Sequence, residues 1–293
     1  MKYMIVQDIL LTKEILNLTN EELAKQLCVS PMSVYRWEKA ECYPDEKGFE
    51  AFYNFAYSNK VYLNKVKESL LKEEYQTEKQ VVLFHGAKTE IEGDISLSKS
   101  KETNDFGNGF YCGENLTQSA MFVSGFPKSS VYSFLLNIEN LRGINFLVER
   151  DWMLLISYFR GTLTKYKNSI IIKKLLDKVA GADYIFAPIA DNRMYRILQN
   201  FTDGEITDEQ CIHALSALGI GYQFVLKSEK AIAQLNPLER FYLCKTEKEE
   251  YIDTRAYDAK IAQTKVKIAR IKYRGIGKYI DEILGGEIDA WVW

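Results

Sequence analysis

Near residue 77 the chain changes its pattern, and that change constrains the fold more than any other feature. Residues 1–75 hold few turn residues and read as helices. Beyond them, compact β-branched and aromatic runs are mixed with helical stretches. VVLFHGA, SSVYSFLLNI, ADYIFAPI and IGYQFVLKS read as strands, and ERFYLCKTE as a fifth. NFLVERDWMLLISYFRG carries helical spacing through Phe146, Trp152, Leu155 and Phe159, and NSIIIKKLLDKVAG reads as a helix that stops at Gly181. ADNRMYRILQNF and TDEQCIHALSALG add two more helices, the second capped by Thr207. Strands and helices follow no regular βαβ alternation, so the expected class is α+β. The expected domains are residues 1–76, 77–245 and a helical tail, 246–293.

Composition narrows the function. The net charge of -2 argues against a molecule built as a whole for nucleic acid. Five cysteines form no CxxC pair and only two histidines occur, which argues against a zinc site; no metal is expected. Scattered thiols in odd number fit a reducing compartment, and MKYMIVQDILLTKEIL does not read as a signal peptide. With no apolar run long enough to span a bilayer, the expected location is cytoplasmic, with no membrane partner.

Within the helical segment, TNEELAKQL opens with a capping box, Thr19 and Glu22, and places Leu23, Ala24 and Leu27 on one face. The chain turns at Cys28-Val29. Ser30 and Pro31 then start a second short helix with Val34 and Trp37 inward. Two short helices joined by a tight turn form a helix-turn-helix pattern. LTNEELAKQLCVSPMSVYRWEKAECYP resembles the Cro/CI-like (XRE) helix-turn-helix family. The resemblance implies DNA contact through Asn20, Ser30, Ser33, Tyr35 and Arg36. Cys28 stands where that family usually has Gly. Residues 1–75 hold ten Lys/Arg against twelve Asp/Glu, which gives weight to the alternative of a helical bundle used for dimerisation or docking.

The candidate chemistry lies in FGNGFYCGENLTQSAMF, residues 106–122. A phosphate loop would need small residues where Phe110 and Tyr111 stand, and no Walker, G-x-S-x-G or H-E-x-x-H sequence occurs. An aromatic ligand clamp is the better reading. His85-Gly86 ends the first strand before it, and Gln223 lies in a late strand.

The ordered set His85, Gly86, Tyr111, Phe122 and Gln223 resembles the ADP-ribosyltransferase superfamily, in the histidine-tyrosine-glutamate branch that includes diphtheria toxin and the poly(ADP-ribose) polymerases. It looks closest to a bacterial group of unknown function with the pattern L-(F/Y)-H-G…DFGxGFY…Q-A, and spans about residues 80–236. The resemblance implies a mixed, mainly antiparallel split sheet and NAD⁺ as substrate. Tyr111 and Phe122 would sandwich the nicotinamide. Gly86 would meet the carboxamide with bare backbone, and His85 would anchor the adenosine ribose. The family's Glu, which accepts from the ribose 2′-OH, is Gln223 here. Gln keeps a hydrogen bond and loses a charge, so the base is expected from the substrate or from a neighbour, with Asp105, Glu114 and Glu229 the candidate neighbours.

The expected function is nicotinamide-releasing mono-ADP-ribosyl transfer, with a toxin or phage-defence role by analogy and an acceptor the sequence does not name. The alternative is a DNA-binding regulator whose degenerate transferase fold binds NAD⁺ or docks a partner. His213, between apolar neighbours, reads as structural. Residues 255–278 hold eight basic residues and one acid, which reads as a solvated face or as a surface for phosphate or an acidic partner; a protein partner or antitoxin is expected for the chain as a whole. The closing IDAWVW is expected to dock on the body or on another chain.

Overall fold

The computed structural model of the chain describes residues 1, 3–218 and 221–285; IDAWVW lies outside them. In chain order the elements begin with five helices: α1 (Ile5–Leu16), α2 (Asn20–Leu27), α3 (Pro31–Glu38), α4 (Glu46–Ser58) and α5 (Leu63–Tyr75). Then come β1 (Gln80–Ala87), β2 (Phe110–Gly113), α6 (Leu116–Val123), β3 (Ser130–Asn137), β4 (Gly143–Asn145), α7 (Arg150–Phe159) and α8 (Ile170–Val179). The chain continues with β5 (Tyr184–Pro188), α9 (Asn192–Thr202), α10 (Asp208–Ser216), β6 (Tyr222–Leu226), α11 (Glu229–Ala233) and β7 (Leu235–Tyr242). It closes with α12 (Lys245–Lys272) and α13 (Ile280–Leu284). The class is α+β. No helix among the described residues is long and apolar enough to cross a membrane.

Two compact units emerge, and each is assembled from three separated stretches of chain. The first takes Met1–Glu92, Asn115–Asn137 and Leu235–Arg255; the second takes Gly93–Glu114, Ile138–Gln234 and the chain from Ala256 onward.

In the first unit the expected local signals fix the helix ends. Thr19 Oγ accepts from the Glu22 N–H (3.2 Å) while the Glu22 carboxylate accepts from the Thr19 N–H (2.8 Å). Ser30 Oγ accepts from the Ser33 N–H at 3.0 Å, and Pro31 opens α3. Cys28 takes the left-handed conformation usually filled by Gly, at φ 55° and ψ 40°. Ile5, Ile9, Leu23, Ala24, Val34 and Phe52 close the helical core. The strands lie in the order β1-β3-β7, antiparallel throughout.

A buried ionic cluster joins these helices to the strands. Lys67 on α5 pairs with Asp8 of α1 at 3.0 Å and with Glu239 of β7 at 2.5 Å. Tyr53 of α4 donates to Asp8 at 2.5 Å. Burial alone would lower the Lys67 pKa, but Asp8 and Glu239 outweigh it and hold the ammonium above its ordinary value. Burial raises Glu239 despite Lys67. Nearby, Glu247 at the start of α12 accepts from Asn64 (2.8 Å) and Tyr251 (3.0 Å), and its burial pushes its carboxyl up to about 7.

In the second unit the strands run β4-β5-β6-β2, with β4 parallel to β5 and the other pairs antiparallel. The amphipathic α7 buries Trp152, Met153, Leu155 and Ile156, and the Trp152 indole donates to the Pro188 carbonyl at 3.2 Å. That bond fixes the end of β5 beside the candidate site. Phe146, expected in the helix, precedes it: its N–H donates to the Phe186 carbonyl at 2.9 Å and prolongs the β4–β5 pairing. Pairing with a strand some 40 residues away overrides a helical spacing that begins only at Arg150.

Candidate functional site

The site is clearest where β2 meets β6. Tyr111 stands opposite Val225 and Gly113 opposite Gln223, so the two-residue period of a strand puts Tyr111 and Gln223 on the same face. On its other flank Gln223 faces Ala187 of β5. Gly113 and Ala187 leave the space beside the Gln223 amide open, and the loop before β2 fills it.

That loop brings in Asp105. The Gln223 Nε2 donates to Asp105 Oδ2 at 2.9 Å and approaches the Pro188 carbonyl at 3.4 Å. The other carboxylate oxygen accepts from Arg160 Nε at 2.8 Å and also from its Nη2. The Ala190 N–H donates to Oδ2 at 3.2 Å, and Arg160 Nη2 reaches the Ala190 carbonyl at 2.5 Å. Arg160 also lies over the Tyr195 ring, 5.0 Å from its centroid. Asp105 and Gln223 are each only 6% exposed, so this carboxylate is paired and hydrogen-bonded as a buried charge requires.

The pairing also settles which way the amide points. Asp105 and the Pro188 carbonyl can only accept, so the NH₂ group must face them. The Gln223 oxygen, Oε1, takes no hydrogen bond from any described residue. It is the side-chain atom left to accept from a ligand.

The next two residues of the loop hold the tyrosine. The Phe106 N–H donates to the Tyr111 hydroxyl at 3.1 Å, and the hydroxyl donates to the Gly107 carbonyl at 2.6 Å. Gly107 sits at φ +71°, a conformation that would strain any residue with a Cβ. Lys227, just past β6, donates to the Phe106 carbonyl at 2.5 Å and to Asn108. Burial pushes the Lys227 ammonium below its ordinary pKa and raises the Tyr111 phenol well above its own. The phenol therefore stays protonated and its ring is held by both ends of the loop.

The first unit carries the other three residues of the set. His85 on β1 stands opposite Tyr132 of β3 and is half-buried. Gly86 follows from close packing: a Cβ there would come within 2.3 Å of the Ser119 carbonyl of α6. Ser119 in turn donates to the Phe84 carbonyl at 2.8 Å, which ties α6 to β1. Phe122 is 69% exposed on α6, an uncovered ring. Of the three candidate carboxylates, Asp105 is the one bonded to Gln223; Glu229 is exposed at the first turn of α11, and Glu114 is half-buried after β2.

Arg160 escaped sequence reasoning. It closes α7, 55 residues from Asp105, and no spacing signals the pairing. Lys227 likewise had no signal.

Among the helix-turn-helix residues, Tyr35 and Arg36 are exposed on α3. Asn20 joins Lys13 and Glu38 in a network, donating to Glu38 at 3.0 Å, and Ser30 and Ser33 hydrogen-bond each other at 2.8 Å. His213 stacks on Tyr273 with ring centroids 3.6 Å apart, and its Nε2 lies 3.6 Å from a Glu209 carboxylate oxygen.

A family described as a protein of unknown function (DUF3990) matches residues 81–236, more than half of the chain. The chain belongs to the DUF3990 family. The DUF3990 segment opens inside β1 and closes inside β7, so it carries His85, Tyr111, Phe122, Gln223 and the Asp105–Arg160 pair. No curated protein and no solved structure matches the chain.

Proposed function

We propose that the protein cleaves NAD⁺ and transfers a single ADP-ribose unit, releasing nicotinamide. The observation that carries this reading is the oriented Gln223 amide on the Tyr111 face of β6, backed by the buried Asp105 carboxylate. The bond that breaks joins the ribosyl C1′ to the nicotinamide nitrogen. Its electron pair leaves with neutral nicotinamide, and the ribosyl carbon develops cationic character before the acceptor bonds to it and gives up a proton. Gln223 Oε1 accepts from the ribose 2′-OH. Asp105, one hydrogen bond behind, polarises the amide and sets a negative charge near the developing cation. Tyr111 supplies a ring face for nicotinamide. The resemblance assigns His85 to the adenosine ribose, Gly86 to the carboxamide and Phe122 to the second ring.

Incubation with labelled NAD⁺ and cell lysate tests the reading. Wild type is expected to release nicotinamide and to label an acceptor, and Tyr111→Ala to lower release by about 100-fold. Absence of both products from folded wild-type protein would sink the proposal.

For the helical segment we propose DNA binding through α2 and α3, supported by the exposed Tyr35 and Arg36 on α3. Affinity for DNA should fall as salt rises, and Arg36→Ala should weaken it by about tenfold. Binding that ignores both salt and Arg36 would favour the docking-bundle alternative.

A further inference from the structure

The long helix α12 has a buried face and a second, uncovered apolar seam. Ala262 and Ala269 are buried and Val266 packs against the second unit's core. On the far side Tyr257, Ile261, Ile268 and Ile271 are 63%, 39%, 59% and 77% exposed. With Thr264 they alternate in steps of four and three residues, and at 3.6 residues per turn they share an arc of about 80°. Isolated exposed apolar residues need no explanation, but a regular seam of them does.

The charges beside the seam are of one sign. Lys260 and Lys267 line one edge, with Arg274 in the turn just past the helix, Lys265 and Lys272 line the other, and Asp258 is the single acid among these positions. Among the described residues, Lys260, Lys265, Lys267 and Arg274 have no ion-pair partner, whereas Arg270, off the seam, pairs with Glu205 at 3.8 Å.

Three occupants can be weighed on these facts. A second copy would set lysines against lysines at the flanking positions in either strand direction, and such repulsion excludes pairing. A lipid surface calls for a broad apolar face, and this seam is only two residues wide. A helix with a matching apolar seam and acidic flanks satisfies both the width and the charge.

We propose that the exposed seam of α12 docks an acidic amphipathic helix of a partner protein. The inference is independent of the transferase reading, because none of its residues belongs to that site.

The probe is a labelled synthetic peptide of three heptads with Ile and Leu on the seam and Glu on both flanks, titrated into the full chain and followed by fluorescence anisotropy. Micromolar binding is expected, since a two-heptad contact lies at the small end of specific interfaces. Affinity should drop at least tenfold between roughly 50 and 500 mM salt. Ile268→Ser/Ile271→Ser should lower it at least tenfold with no change in thermal midpoint, because both side chains are exposed. Lys265→Glu/Lys267→Glu/Lys272→Glu should lose the acidic peptide and gain one with Lys flanks. The proposal is overturned if the acidic peptide fails to bind, or if it binds regardless of the serine pair. Self-association of the chain, adsorption to phosphatidylserine vesicles or DNA binding that the serine pair abolishes, without peptide binding, would overturn it equally.

Discussion

Gln223→Glu is expected to melt well below wild type near pH 8 and to recover most of the difference near pH 5. The ADP-ribosyltransferases that the sequence resembles carry Glu at this strand position, so under the proposed function the substitution looks like a restoration. The geometry makes it a lesion. Gln223 donates to Asp105 at 2.9 Å, and a glutamate there would place two buried carboxylates in contact. One of them must hold a proton in the folded state and none need do so in the unfolded state. The folded pKa of the pair is therefore raised, and the associated stability is present at low pH and lost as pH rises. A shift of about two units corresponds to about 3 kcal/mol, or roughly 6–12 °C in a unit of this size.

The exchange Asp105→Asn/Gln223→Glu separates this effect from a plain packing fault. The asparagine amide would donate to the new carboxylate across the same gap, its oxygen still accepting from Arg160, at the loss of the Ala190 N–H bond to Oδ2. The double variant should regain at least half of the lost stability, a coupling of about 1–2 kcal/mol. If nicotinamide release depends on a negative charge near this strand position, the exchanged pair should retain it. A double variant no more stable than Gln223→Glu alone would refute the orientation assigned to the amide.

Lys67→Met carries the other large expected effect. Lys67 is the cation between Asp8 and Glu239, and its ammonium also lies 5.0 Å from the centre of the Phe241 ring. Methionine fills similar volume but leaves two buried carboxylates without a counter-charge. Removing one partner of a buried ion pair costs about 3–5 kcal/mol. The penalty should shrink as falling pH neutralises the orphaned charge, and Asp8→Asn/Lys67→Met/Glu239→Gln should recover much of it. Thermal unfolding of the three proteins across pH reads this out. A Lys67→Met protein as stable as wild type near pH 8 would show that the cluster carries no stability.

What was legible in the sequence follows the range of the forces involved. The capping box at Thr19 and the cap at Thr207 involve residues three apart, and both appear as expected. The four long strand runs were visible because their β-branched and aromatic content is local. β2 is only four residues long and follows a glycine turn, so its strand character comes from pairing with β6, more than 100 residues later. Lys67 sits in a run that reads as a charged helix and linker, and nothing near it announces burial between Asp8 and Glu239. Gln223 could be singled out from its strand, but Asp105 was one of three candidate neighbours and Arg160 none at all. Polar networks join distant residues without periodicity, which is why the core was easier to foresee than the site's wiring.

The interleaving of the two units has a consequence for how the chain is made. The first unit needs Leu235–Arg255 to complete it, and the second begins at Gly93. On the ribosome, the N-terminal helices therefore emerge long before Glu239 arrives to meet Lys67. During that interval the helices wait with a buried-charge site half built. A stop codon introduced between Asn137 and Leu235 would strip both units of a strand or helix at once, so a shortened product keeps the first unit whole only if it reaches Arg255.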